Sequence, residues 1–212
     1  MALVSGGMDS AVAAALAREE GDEIYALSFD YGQRHRVELE AAVRVAEWVG
    51  AARHEVVRVE LEKICRSALT QDLAVPKDGV GPGIPITYVP GRNIIFLGIG
   101  LGWAESLEAH RIVIGANAID FSGYPDCRPE FLDAFQAVAV AGTKAGVEGH
   151  APRIWAPLAR MSKAEIVREG RRLGLDFGIT HSCYDPGPAG APCGRCDACR
   201  LREKGLREAG PD

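Results

Sequence analysis

The chain has 212 residues, which at ~150 residues per domain predicts one large domain with an appendage and excludes a repeat array or a small disulfide scaffold. Hydrophobic residues make up 47% and charged residues 25%, so the chain is not of the disordered type and can fill a core. With 24 Lys+Arg against 29 Asp+Glu the formal charge is −5, which excludes a global field drawing the protein onto nucleic acid, while a local basic groove stays open.

Apolar segments rich in β-branched residues alternate along the chain with stretches of helical period. A strand over 2–4 leads to a helix over 10–20 and a strand over 23–29. A helix over 34–49 sets Val37, Ala41, Val45, Trp48 and Val49 on one face, and a strand over 54–61 follows. Residues 76–91 hold eight Pro or Gly in sixteen, too many for a helix or central strand, and read as a long loop beside the site, either a lid or a plain surface insertion. Beyond it come a helix over 93–109, a strand over 111–115 and a helix over 129–145 opened by Pro129. The last predicted helix, over 162–173, starts on a Ser162 cap with Glu165 three residues on. This alternation predicts an α/β fold, a doubly wound parallel sheet, with ligands at the carboxyl ends of its strands. No apolar run nears the ~20 residues of a membrane helix, and Met1-Ala2-Leu3-Val4 lacks the basic start of a leader, so a cytoplasmic protein without membrane partners is expected.

Six cysteines are unevenly placed. Cys65 and Cys127 stand alone and read as small apolar residues. Cys183, Cys193, Cys196 and Cys199 crowd the end, where overlapping CxxC units suit one tetrahedral ion with no open position, hence one structural Zn²⁺. An iron–sulfur cluster is the rival, and His181 reads as a bystander. The predicted domains are 1–178, the α/β unit, and 179–212, a zinc-binding extension packed on it.

The first strand ends in Ser5-Gly6-Gly7-Met8-Asp9-Ser10 and runs into a helix. Glycines let backbone amides converge on an anion, serines add donors, and the helix dipole faces the same point. The ending of a Walker loop is missing. The segment resembles the PP-loop of the N-type ATP pyrophosphatases, SGGxDS, whose loop binds the pyrophosphate portion of ATP while an acceptor oxygen is adenylated. Further blocks sharpen the resemblance: Phe29-Asp30-Tyr31-Gly32-Gln33-Arg34-His35, Tyr88-Val89-Pro90-Gly91-Arg92-Asn93, Gly115-Ala116-Asn117-Ala118-Ile119-Asp120-Phe121-Ser122-Gly123-Tyr124-Pro125-Asp126-Cys127-Arg128-Pro129, and Ser162-Lys163-Ala164-Glu165-Ile166-Val167. With the cysteine tail they are similar to the 7-cyano-7-deazaguanine (preQ0) synthase family. Phe121 stands where that family usually has Tyr, and four residues before the loop make a short first strand.

The resemblance implies an adenine nucleotide alpha hydrolase-like, Rossmann-like fold and an ATP-dependent ligase. It would join ammonia to 7-carboxy-7-deazaguanine through an adenylated carboxylate, then an activated amide, in the biosynthesis of the tRNA base queuosine. Ser5, Asp9, Ser10 and Lys163 are the implied catalytic groups, with Mg²⁺ bridging Asp9 to phosphate and Lys163 neutralising charge on the departing pyrophosphate. ATP contacts are expected from Val4, Ser5, Gly6, Gly7, Met8, Asp9, Ser10, Ala11, Val12, Phe29, Gln33, Arg92, Asn93 and Gly115. The deazaguanine is assigned to Asp120, Ser122, Gly123, Tyr124, Asp126 and Arg128, with the Asp126 carboxylate favoured for the two donors of its pairing edge. A homodimer without nucleic-acid partners is implied. Two rivals remain: a PP-loop tRNA thiolase, and a zinc-dependent nucleic-acid-binding module using Arg195, Arg200, Arg202, Lys204 and Arg207.

Overall fold

The computed structural model describes residues 1–34, 37–77, 79, 83–117 and 123–211. Strand β1 (Ala2–Leu3) runs into helix α1 (Met8–Glu19), and β2 (Tyr25–Asp30) into α2 (Val37–Trp48). After β3 (Arg53–Arg58) the chain crosses irregular segments to α3 (Arg92–Ser106) and β4 (Arg111–Val113). Helices α4 (Pro129–Gly142) and α5 (Lys144–Val147), strand β5 (Arg153–Trp155), α6 (Lys163–Arg172) and α7 (Asp197–Ala209) complete it. The strands form one parallel sheet in the order β3-β2-β1-β4-β5. From β1 the chain winds outward through β2 and β3, then returns to the far side of β1 as β4. The resulting crevice between the ends of β1 and β4 is where such sheets bind ligands.

Helices cover both faces of the sheet, as predicted. One core joins Val12, Val45, Val49, Val113, Leu158 and Ile166 under α1, α2 and α6. The other joins Leu27, Leu97, Leu101, Ile112 and Phe135 under α3 and α4. Helix α1 is alanine-rich, and Ala11, Ala13, Ala14, Ala15 and Ala17 are wholly buried, so small side chains with high helix propensity let it lie close between sheet and α6.

The start of α6 is the capping box read from sequence: Ser162 Oγ accepts from the Glu165 N–H, and Glu165 Oε2 accepts from the Ser162 N–H at 2.7 Å. The predicted strand over 54–61 stops at Arg58, and Leu61–Lys63 is a 3-10 turn. The predicted helix over 129–145 breaks at Thr143, whose extended backbone and hydroxyl, accepting from the Gly146 N–H at 2.9 Å, start α5. Neither β5 nor α7 was expected. The described part of 76–91 holds no helix or strand. Among the described residues no helix is long and apolar enough to cross a membrane.

Candidate active site

The loop after β1 is tightly braced. Gly6 has φ +81°, and a Cβ there would lie 2.4 Å from the Glu38 carbonyl oxygen, so only glycine lets the loop pass α2. Ser10 Oγ accepts from the Ser5 N–H at 3.1 Å and donates to the Gly7 carbonyl at 3.0 Å, with Ser5 Oγ 3.1 Å away. Helix α1 has no side-chain cap, so its first N–H groups and positive dipole end open onto the crevice. The Lys163 ammonium, at the first residue of α6, is paired with Asp9 Oδ2. Asp9 Oδ1 is buried without a partner.

Gly115 closes the loop from the β4 side. A Cβ there would stand 2.7 Å from the Ser10 nitrogen and 2.8 Å from the Asp9 carbonyl carbon. Opposite, the Phe29 and Phe96 rings stack 3.9 Å apart and 5° from parallel. Gln33 braces its own turn, accepting from the Tyr31 N–H at 2.8 Å and donating to the Phe29 carbonyl at 3.2 Å. The Arg92 guanidinium lies 6.0 Å from the Tyr31 ring centroid.

Val4, Ser5, Gly7, Met8, Asp9, Ser10, Phe29, Gln33, Arg92, Asn93, Gly115, Tyr124 and Lys163 thus share one cleft. Other expected contacts fall elsewhere. Ala11 and Val12 are fully buried in the core, so their side chains are out of a ligand's reach. Gly123 packs against Pro85, and Asp126 and Arg128 are not among the cleft-lining residues. Asp126 is buried at the start of α3: Oδ2 accepts from the Asn93 N–H at 3.0 Å, its carbonyl accepts from Asn93 Nδ2 at 2.9 Å, and Oδ1 is unpartnered. The expected roles of Asp120 and Ser122 lie outside the described residues.

Several cleft groups were given no role at this site by the sequence reading, Glu38, Tyr184 and Arg202 among them. Glu38 lines the cleft, and burial pushes its carboxyl up to about 7 although Arg92 pulls the other way. Tyr184 and Arg202 reach the cleft from the cysteine tail. Cys127, also cleft-lining, has its thiol pushed up to about 11 by burial.

The tail gathers Cys183, Cys193, Cys196 and Cys199 with all four sulfurs within 4.8 Å of one another. Backbone N–H groups of Cys193 and Asp185 donate to Cys183 Sγ at 3.2 and 3.4 Å, and that of Cys196 to Cys193 Sγ at 3.3 Å. Burial works against the Cys193 thiolate, but the N–H groups of Arg195 and Cys196 and the Lys77 ammonium outweigh it and bring its pKa to about 6. Four thiolate donors with such N–H···S support are compatible with structural zinc. His181 stays outside this set. Its N–H donates to the Gly6 carbonyl at 2.9 Å, and its Nε2 lies 3.1 Å from the Cys183 carbonyl oxygen.

Fold and crevice define a Rossmann-like α/β protein with a glycine-rich loop at its switch point. Residues 1–210 match the family described as "Queuosine biosynthesis protein QueC", and the chain belongs to that family. It is 60% identical to a 7-cyano-7-deazaguanine synthase of Geobacter sulfurreducens over 98% of this chain and 88% of that one. A protein of the same name from Geotalea daltonii is 61% identical, covering 98% and 91%. Among solved structures, an NMN synthetase from Francisella tularensis matches at TM-score 0.46 and 16% identity over 99% of this chain and 86% of that one.

Proposed function

We propose that the protein is a 7-cyano-7-deazaguanine synthase, converting 7-carboxy-7-deazaguanine and ammonia to the nitrile with ATP. The observation that carries this reading is the uncapped, glycine-built loop at the switch point, with Lys163 on its aspartate, in a chain about 60% identical to synthases of that name. The open N–H groups of α1 and Lys163 suit the phosphates of ATP. The unpartnered Asp9 Oδ1 fits Mg²⁺, which when bound would offset phosphate charge beside the aspartate. Phe29 and Phe96 offer a flat apolar wall for a purine-like ring.

In each activation an oxygen of the poor electrophile, first of the carboxylate and then of the amide, attacks the α-phosphorus and releases pyrophosphate; it then departs as part of AMP, displaced by ammonia in the first round and expelled as nitrogen loses its protons in the second, so one loop serves twice. The thiolase reading needs a reactive cysteine, and Cys127 is disfavoured as a thiolate while the tail cysteines are gathered for metal. The net charge of −5 supports small-molecule substrates over nucleic acid. A homodimer in the cytoplasm, with residues 179–212 as a zinc-bound extension of the 1–178 unit, belongs to the same proposal.

The test is incubation with ATP, Mg²⁺, ammonium and 7-carboxy-7-deazaguanine, reading the product by mass. Nitrile with AMP and pyrophosphate is expected. ADP and phosphate released in step with product would overturn the mechanism, and absence of nitrile the substrate.

A further inference from the structure

Arg202 lies on α7 one turn beyond Cys199, on the same side of the helix. Its guanidinium is held from three sides: Nη1 donates to Thr180 Oγ1 at 2.7 Å and to Ser182 Oγ at 3.3 Å, and Nη2 donates to the Phe177 carbonyl at 2.6 Å. These acceptors are all neutral. Among the described residues no carboxylate oxygen lies within 4.0 Å of it, although it lines the same cleft as Ser5, Asp9 and Lys163. Burial lowers its pKa, while the fields of Cys199 and, less strongly, Asp9 pull the other way. A half-buried guanidinium fixed in orientation by neutral acceptors, with no carboxylate paired to it, is placed to receive an anion from the cleft. The three bonds leave Nε and part of Nη2 available, and a guanidinium can take two phosphate oxygens at once.

We infer that Arg202 is a ligand of the triphosphate, delivered to the phosphate loop by the cysteine-bound tail. The inference rests on the nucleotide reading above. It gives the tail a task at the site: Cys199 fixes the rotation of α7, and Gly205 lets the helix close on Lys163, where a Cβ would come within 2.8 Å of the lysine Cβ. Both cations facing the loop then depend on the seating of one helix.

The test measures binding of inorganic pyrophosphate and of ATP, each with Mg²⁺, by calorimetry on the zinc-loaded full chain, with no turnover required. Arg202→Gln is expected to weaken both at least tenfold at unchanged zinc content and melting temperature. Arg207→Gln, an equal charge change on an exposed residue of the same helix, is expected to bind as wild type does. Binding by a folded Arg202→Gln within twofold of wild type overturns the inference. If the wild-type protein binds neither ligand, the nucleotide reading itself fails. Should Arg202→Gln lose its fold or its zinc, the wild-type chain decides. Phenylglyoxal modification of Arg202, read by peptide mass, is expected to slow at least fivefold in saturating pyrophosphate while Arg207 is unaffected. Equal rates with and without the ligand overturn the inference.

Discussion

Adding one methyl group at Gly115 tests whether the phosphate loop is set by contact from the β4 side. The new Cβ would stand 2.7 Å from the Ser10 nitrogen, whereas ordinary contact begins at 3.4 Å, so the start of α1 must retreat by about 0.7 Å. The neighbours are backbone atoms at a helix start and cannot swing aside as a side-chain tip would. Overpacking of this kind costs ~1–3 kcal/mol, and misplacing a reacting group by about 1 Å can cost ~100-fold in rate. Gly115→Ala should therefore fold with a modestly lowered melting temperature while kcat/KM for ATP, followed by pyrophosphate release, falls roughly tenfold to a hundredfold. Gly98→Ala is the control: it sits in α3 with nothing within 4 Å, and should gain ~0.5–1 kcal/mol of stability with activity intact. Wild-type kcat and KM for ATP in Gly115→Ala would refute the argument that this contact sets the loop.

Glu38 titrates at about 7 instead of 4.5, so the folded protein holds its proton more tightly than the unfolded chain. That advantage is complete below pH 4.5 and is lost as pH rises to 7, after which the buried charge costs ~3 kcal/mol. Urea unfolding should find Glu38→Gln close to wild type at pH 5 and more stable at pH 8; a difference that does not grow over this range would contradict the assignment. Elemental analysis should find about one zinc per chain. Chelation or Cys196→Ala should lower the melting temperature and weaken pyrophosphate binding together, whereas full thermal stability after metal removal would exclude a structural ion. Asp126→Ala should cost ~1–3 kcal/mol with no ligand present, because it strips the acceptor from the buried Asn93 N–H. An unchanged melting temperature would show that this carboxylate is not what anchors α3.

Local signals carried the elements that were foreseen. Ser162 and Glu165 form a two-sided cap within four residues, and the alternating strands and helices implied a parallel sheet. What was missed has non-local causes. Arg153–Trp155 is a three-residue strand between Pro152 and Pro157, too short for a periodic signal, and it exists because β4 lies beside it. Helix α7 buries only Asp197, Cys199 and Gly205, none of them a large apolar residue, so its apolar marking is weak. At the site, the loop motif and Lys163 announced themselves through residue type and spacing. Glu38 and Arg202 did not, since a carboxylate at a helix start and an arginine in a charged run look like solvated surface until the chain folds over them. Asp126 was recognisable as a carboxylate of interest, but its partner is the start of a helix more than thirty residues earlier.

The bond from the His181 N–H to the Gly6 carbonyl bears on how the protein is assembled. It joins the first turn of the chain to the segment that opens the cysteine tail, and the Lys163 to Asp9 pair spans 154 residues in the same direction. Contacts of this span close large loops, at an entropy cost that local contacts do not carry. The loop after β1 is thereby braced by segments more than 150 residues away along the chain, so a disturbance of the cysteine tail reaches it directly.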